Sequence, residues 1–207
     1  GLPCSLTGEQ KVAVILINFP STPLPATVTA ASMQAAFFGA GRSLDTYWRE
    51  VSGGAAWATG AVFGPFDFTT NYTCNQSDAI RTAAIQAADS SLDFRQYNRI
   101  FLIVPNAGSC SVGLGTYGCG GLSSSGDGSF TASTTWLRAD YLTTNDAVLS
   151  VAAHEGGHNL GLNHASSLDY GAEALGPFGS AGTHSEYENR YSIMGISWRV
   201  GNAFNLG

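Results

Sequence analysis

Residues 154–164 read His-Glu-Gly-Gly-His-Asn-Leu-Gly-Leu-Asn-His, and this stretch restricts the chain more than any other. On a helix, residues four apart lie one above the other on the same face, so His154 and His158 can offer two ring nitrogens to one metal ion. Glu155 points about 100° further round such a helix and can address a water on the metal without ligating it. Gly161 can take the left-handed conformation that ends a helix, after which Leu162 and Asn163 bring His164 back as a third ligand. Three protein ligands leave a fourth position for water, which is the hydrolytic form of a zinc site rather than the closed structural form. Three of the four histidines of the chain fall within this stretch. Core histidines that merely satisfy hydrogen bonds are not expected to cluster so.

Downstream lies Tyr191-Ser192-Ile193-Met194-Gly195, with Met194 thirty positions after His164. A lone methionine is usually core filler. In this order and at this distance it resembles the metzincin clan of zinc endopeptidases, in which a methionine turn forms a hydrophobic floor beneath the metal. The zinc stretch with Ala165-Ser166-Ser167-Leu168-Asp169-Tyr170-Gly171, followed by Glu188-Asn189-Arg190-Tyr191-Ser192-Ile193-Met194-Gly195, looks like the gametolysin family of secreted metallopeptidases. The segment Cys110-Ser111-Val112-Gly113-Leu114-Gly115-Thr116-Tyr117-Gly118 is similar to the edge strand of reprolysins. The similarity spans residues 98–195. Three positions depart from the pattern. Ala165 stands where reprolysins carry an aspartate, which argues against that family. Ile196 stands where astacins and serralysins have a tyrosine, and Gly156 replaces a bulky apolar residue of the helix.

The resemblance implies a secreted enzyme made as a zymogen and acting on protein or peptide substrates, with extracellular-matrix or cell-wall proteins suggested by analogy. Zn²⁺ on His154, His158 and His164 would acidify a water and polarise the scissile carbonyl, and Glu155 would take the proton and pass it to the departing amine. Substrate backbone is expected along an edge strand containing Val112, Gly113, Leu114 and Gly115, exchanging main-chain hydrogen bonds as an added strand. The two glycines there would allow close approach of that backbone. Side-chain selectivity is expected from a pocket after the methionine turn that includes Trp198 and Arg199. Two other classes use the same residues: a zinc-binding adhesion or recognition module without turnover, and a zinc amidase or esterase. Glu155 counts against the first, because a carboxylate beside the metal serves catalysis and not ligation. Asp169, Glu173, Glu186 and Glu188 supply oxygen donors for calcium in a loop-rich region, without EF-hand spacing.

Composition narrows the remaining classes. With 207 residues, 44% hydrophobic, the chain can bury a real core as one catalytic domain, 1–161 forming an upper lobe and 162–207 a lower one. A net charge of −6 with a single lysine, Lys11, leaves no basic footprint for nucleic acid. The longest apolar run, residues 12–19, is strand-sized, so no membrane span is expected, and a monomer is expected. A start at Gly1 without an initiator methionine or signal peptide fits a processed mature form. Four cysteines suit an oxidising compartment. Three pairings exist. Cys110 and Cys119 flank a short Gly-rich segment and would staple it, leaving Cys4 with Cys74. The sequons at Asn71 and Asn75 straddle Cys74 and would accept glycans only in a suitable host.

Along the chain, residues 12–19, 56–63, 99–104, 111–117 and 130–137 read as strands. Residues 29–38, 43–51, 77–88 and 144–160 read as helices, with Ser43 an N-cap and Asp146 favouring the dipole of the last helix. Residues 120–129, rich in Gly and Ser, read as a loop. Strands alternating with helices predict an α/β fold. The resemblance makes this a metzincin-like domain: a twisted, mostly parallel sheet with an antiparallel edge strand, a zinc-bearing helix, and an irregular C-terminal lobe with the methionine turn. His184 in that lobe is expected at the surface. Each mid-helix glycine costs about 0.5–1 kcal/mol relative to alanine, so close packing is expected at Gly157. Gly156 is expected to tolerate alanine.

Overall fold

The computed structural model describes residues 4–106, 108 and 111–196. The chain divides into two units, Gly1–Gly161 and Leu162–Gly207. In the first, the elements run β1 (Gly8–Asn18), α1 (Ala30–Phe38), α2 (Leu44–Val51), β2 (Ala56–Asp67), α3 (Ser77–Ala88), β3 (Arg99–Val104), β4 (Gly113–Gly115), β5 (Gly120–Ser124), β6 (Gly128–Arg138) and α4 (Asn145–Asn159). The sheet order is β2-β1-β3-β6-β4. Strands β2, β1, β3 and β6 are parallel, and β4 closes the edge antiparallel to β6.

Parallel strands are covered on both faces and therefore read as continuous apolar runs. Residues 12–17 of β1 and 100–103 of β3 are all fully buried. Alternation splits them between the two faces. Ala13, Ile15 and Ile17, with Ile100 and Leu102, share a cluster with Ile80, Ala84, Ile85 and Ala88 of α3 and with Phe130 and Trp136 of β6. On the opposite face Phe101 of β3 meets Phe37 of α1 edge-on, ring centroids 5.1 Å apart, and α1 and α2 pack against α4. Ser43 caps α2 by accepting from the Thr46 amide, and Thr144 caps α4 by accepting from the Ala147 amide. No described helix is long and apolar enough to cross a membrane.

Two expectations change. Residues 120–129 are not a loop: β5 runs antiparallel to the first half of β6, from Gly120 opposite Ala132 to Ser124 opposite Gly128. A ladder of backbone hydrogen bonds needs no apolar alternation, and β5, Gly-Gly-Leu-Ser-Ser, offers only Leu122 to the core. Its neighbour β4 is shorter than the strand expected over 111–117.

The disulfide pairing is also different. Cys4 is joined to Cys119, their Cα atoms 6.2 Å apart, so neither Cys4–Cys74 nor Cys110–Cys119 forms. Cys74 is itself disulfide-bonded, and Cys110 lies outside the described residues. The topology supplies the reason. Cys4 precedes β1 and Cys119 precedes β5, and both approach the start of β3, where each Sγ faces the Asn98 carbonyl. Fully buried Arg99 fills the same end of the sheet. It donates to the Gln10 side chain, the Ser5 carbonyl and the Cys119 sulfur, and burial lowers its pKa to about 10.

The second unit has little regular structure: one hairpin of β7 (Ser167–Asp169) and β8 (Thr183–Ser185). Among its described residues only Met194, Gly195 and Ile196 are buried. His184 is exposed in β8.

Candidate metal centre

Helix α4 carries the first two histidines on one face, ring centroids 5.1 Å apart. The helix stops as its sequence requires: Gly161 has φ +85° and donates its amide to the His158 carbonyl at 2.8 Å. Space is no constraint there, since a Cβ at Gly161 would meet nothing within 4 Å. The positive φ alone asks for glycine. Four residues beyond the helix C-cap comes His164. One ligand nitrogen from each of His154, His158 and His164 lies within 4.8 Å of the others. Three imidazoles fit zinc by donor type, and no other group of three metal-ligating side chains occurs among the described residues. The four acids considered for calcium form no such group.

The helix end is anchored by a residue that the motif does not advertise. Asn159 is fully buried. Its Oδ1 accepts from Thr135 Oγ1 at 2.8 Å, and its Nδ2 donates to the Thr116 carbonyl at 2.9 Å, so one amide ties α4 to β6 and to the end of β4. The Gly118 amide donates to the His158 carbonyl, and the Tyr117 ring lies edge-on to His158 with centroids 5.0 Å apart. In the sequence only an Asn directly after a ligand histidine marks this anchor.

At Gly156 the expectation is reversed. A Cβ on Gly156 would sit 2.8 Å from Cζ2 of buried Trp48 and 3.4 Å from Cζ of Phe101. Gly156 is therefore a close-packing residue, letting α4 seat against α2 and β3. Gly157 is buried as well.

Glu155 is buried, and burial pushes its carboxyl up to about 7. The edge strand lies against it. A Cβ on Gly113 would come within 2.5 Å of Glu155 Oε1, and one on Gly115 within 2.5 Å of the Glu155 carbonyl oxygen. These glycines thus admit the helix on this face of the strand. The hydrogen bonds from Arg138 N to Val112 O and from Thr116 N to Thr134 O fix the phase of the ladder. By antiparallel alternation, the N–H and C=O groups of Gly113 and Gly115 turn away from β6 toward the open edge. Leu114, between them, is half exposed. Trp198 and Arg199 lie outside the described residues.

In the second unit His164 has two neighbours that no motif announced. Its Nδ1 is 2.7 Å from Glu186 Oε1, and its ring lies over Tyr187 at a centroid distance of 3.6 Å. Met194 is buried, and its carbonyl accepts from the Ala165 amide at 2.9 Å. Ile196, where astacins and serralysins have a tyrosine, is buried too.

A family model described as metallo-peptidase family M12, reprolysin type, matches residues 65–199, more than half of the chain. Ala165 in place of the reprolysin aspartate therefore does not take the sequence outside that group. No curated protein matches the sequence.

Proposed function

This chain belongs to metallo-peptidase family M12, and from that premise we propose that it is a secreted zinc endopeptidase of metzincin type with Glu155 as general base and acid. The observation that carries the proposal is the convergence of three imidazole nitrogens within 4.8 Å, with a buried carboxylate next in sequence to the first of them. His154, His158 and His164 would hold the ion. Bound zinc supplies Lewis acidity, acidifying water and polarising a carbonyl. Glu155 accepts the proton of the attacking water and delivers it to the amine as the C–N bond breaks. The outward main-chain groups of Gly113 and Gly115 pair with the substrate backbone as an added strand, and Val112 and Leu114 flank that register. The Cys4–Cys119 disulfide supports export to an oxidising compartment. The gametolysin likeness favours matrix or cell-wall proteins as substrates, by analogy.

Mass-spectrometric mapping of cleavage in a peptide library, with and without a zinc chelator, tests this together with Glu155→Gln. The expected outcome is chelator-sensitive cleavage that the variant loses while retaining zinc. Zinc binding with cleavage of neither peptides nor esters would point instead to a recognition module, and cleavage of esters alone to an esterase.

A further inference from the structure

His164 follows the helix in a segment, residues 162–166, with neither helix nor strand, so no regular backbone fixes its ring. What fixes it lies twenty-two positions on, in the sequence Glu186-Tyr187. A carboxylate only accepts hydrogen bonds, so the 2.7 Å contact with Glu186 places the ring proton on Nδ1 and leaves the Nε2 lone pair for a metal. Tyr187 covers the ring face and has φ +67°, the one positive φ of a non-glycine residue among those described. Such conformations persist where surrounding structure over-determines them, and here it does. The Asn189 amide donates to the Ala165 carbonyl, the Ala165 amide to the Met194 carbonyl, and the Ile196 amide to the Asn189 carbonyl. Gly195 packs against the carbonyls of Asn189 and Tyr187, where any side chain would collide. The methionine turn, the 186–189 loop and the backbone at His164–Ala165 are thus one hydrogen-bonded assembly.

We propose that Glu186 and Tyr187 are positioning residues that set the tautomer and tilt of His164 as third ligand. This rests on the reading of the three histidines as a zinc set. Outer partners of metal-bound histidines typically contribute about 10–100-fold in affinity.

The test is zinc affinity by competition with a chromophoric chelator, the visible spectrum of the cobalt-substituted protein, and the melting temperature of the metal-free protein. The parent should bind one zinc and His164→Ala far less. Glu186→Ala should bind about 10–100-fold more weakly with an altered cobalt spectrum and an unchanged metal-free melting temperature. Glu186→Gln, which keeps an acceptor oxygen, should fall between Glu186→Ala and the parent. Tyr187→Gly relieves the positive φ, so it should melt no lower than the parent yet hold zinc less tightly. Parental affinity in Glu186→Ala, with zinc binding lost in His164→Ala, would overturn the positioning role and leave the ligand set standing. A drop in metal-free melting temperature with Glu186→Ala would make the residue merely structural and also overturn it. A parent that binds no zinc, or a His164→Ala variant that binds it equally, would instead sink the ligand assignment.

Discussion

In the first unit residues 12–17 of β1 are all fully buried, whereas among the described residues of the second only Met194, Gly195 and Ile196 are buried. The two regions are held by different physics. Apolar burial, at roughly 25 cal/mol per Å², organises the sheet and its helices. Residues 162–196 instead rely on backbone hydrogen bonds linking Ala165, Asn189, Met194 and Ile196 and on the His164–Glu186 contact. Substitutions in the first unit should therefore register as folding free energy, and those in the second as metal affinity with little change in stability.

The largest test of that division uses Glu155. Its carboxyl is raised from 4.5 to about 7 by burial, so in the metal-free protein the fold favours the protonated form. The stabilisation is complete below pH 4.5 and is lost as pH rises through about 7. At about 1.4 kcal/mol per pH unit, that loss is on the order of 3 kcal/mol. Denaturant titrations of metal-free protein from pH 4 to 8 should show it, and Glu155→Gln should remove most of the difference. An identical pH dependence in the variant would mean that the carboxylate is better solvated than its burial implies.

The same division explains what was legible in the sequence. Buried strands β1 and β3, the capped helices and the stop at Gly161 all leave periodic or steric signatures, and the histidine spacing is a direct consequence of helix geometry. Four features leave none. β5 is held mainly by its backbone ladder, with Leu122 its one apolar contact to the core. The Cys4–Cys119 pairing depends on which strand ends the parallel topology gathers, and sequence separation does not report that. Gly156 is small because of Trp48 and Phe101, residues 108 and 55 positions away. Glu186 reaches His164 through an irregular loop. Each depends on three-dimensional neighbours that no local pattern encodes.

The edge-strand glycines sharpen the comparison next, because they separate stability from activity within one element. Gly115→Ala would drive a Cβ onto the Glu155 backbone carbonyl at 2.5 Å, which cannot move without moving the helix. A loss toward the upper end of about 1–3 kcal/mol is expected. Gly113→Ala meets the side chain of the same residue, Oε1 at 2.5 Å and Cγ at 2.6 Å, which can swing aside as the backbone carbonyl cannot. Its stability should fall less. Displacing the carboxylate proposed as proton acceptor should lower kcat by about 10–100-fold with KM little changed. Melting curves and steady-state kinetics on both variants check the pair. A Gly113→Ala enzyme with parental kcat would mean that the carboxylate position is not set by β4.

Gly156→Ala should have a smaller effect. Alanine gains about 0.5–1 kcal/mol in helix propensity, but its Cβ would press on the ring of Trp48 at 2.8 Å. Overpacking of this kind costs about 1–3 kcal/mol, which leaves a net destabilisation of about 1–2 kcal/mol. Trp48→Phe in the same background removes part of the obstructing ring and should recover some of the loss. Double-mutant analysis of chemical denaturation measures the coupling, and strict additivity would show that the glycine serves some other contact.

The smallest expected effect tests the second unit. Phe178 is wholly exposed and Leu175 is 84% exposed, so neither contributes the apolar burial on which the first unit depends. Surface substitutions away from caps, networks and special backbone positions usually stay within about 0.5 kcal/mol. For a chain of this length that is a shift of only about 1–2 °C in melting temperature. Phe178→Ser and Leu175→Ser, separately and together, should therefore melt with the parent and keep its zinc affinity. By contrast, truncating an aromatic such as Phe101 in β3 to alanine should destabilise by about 3–5 kcal/mol. Differential scanning calorimetry of metal-free and zinc-loaded samples makes the measurement. A loss of several degrees at Phe178 would show that this loop buries its apolar side chains in solution, and the contrast between a burial-driven unit and a hydrogen-bond-driven one would then fail.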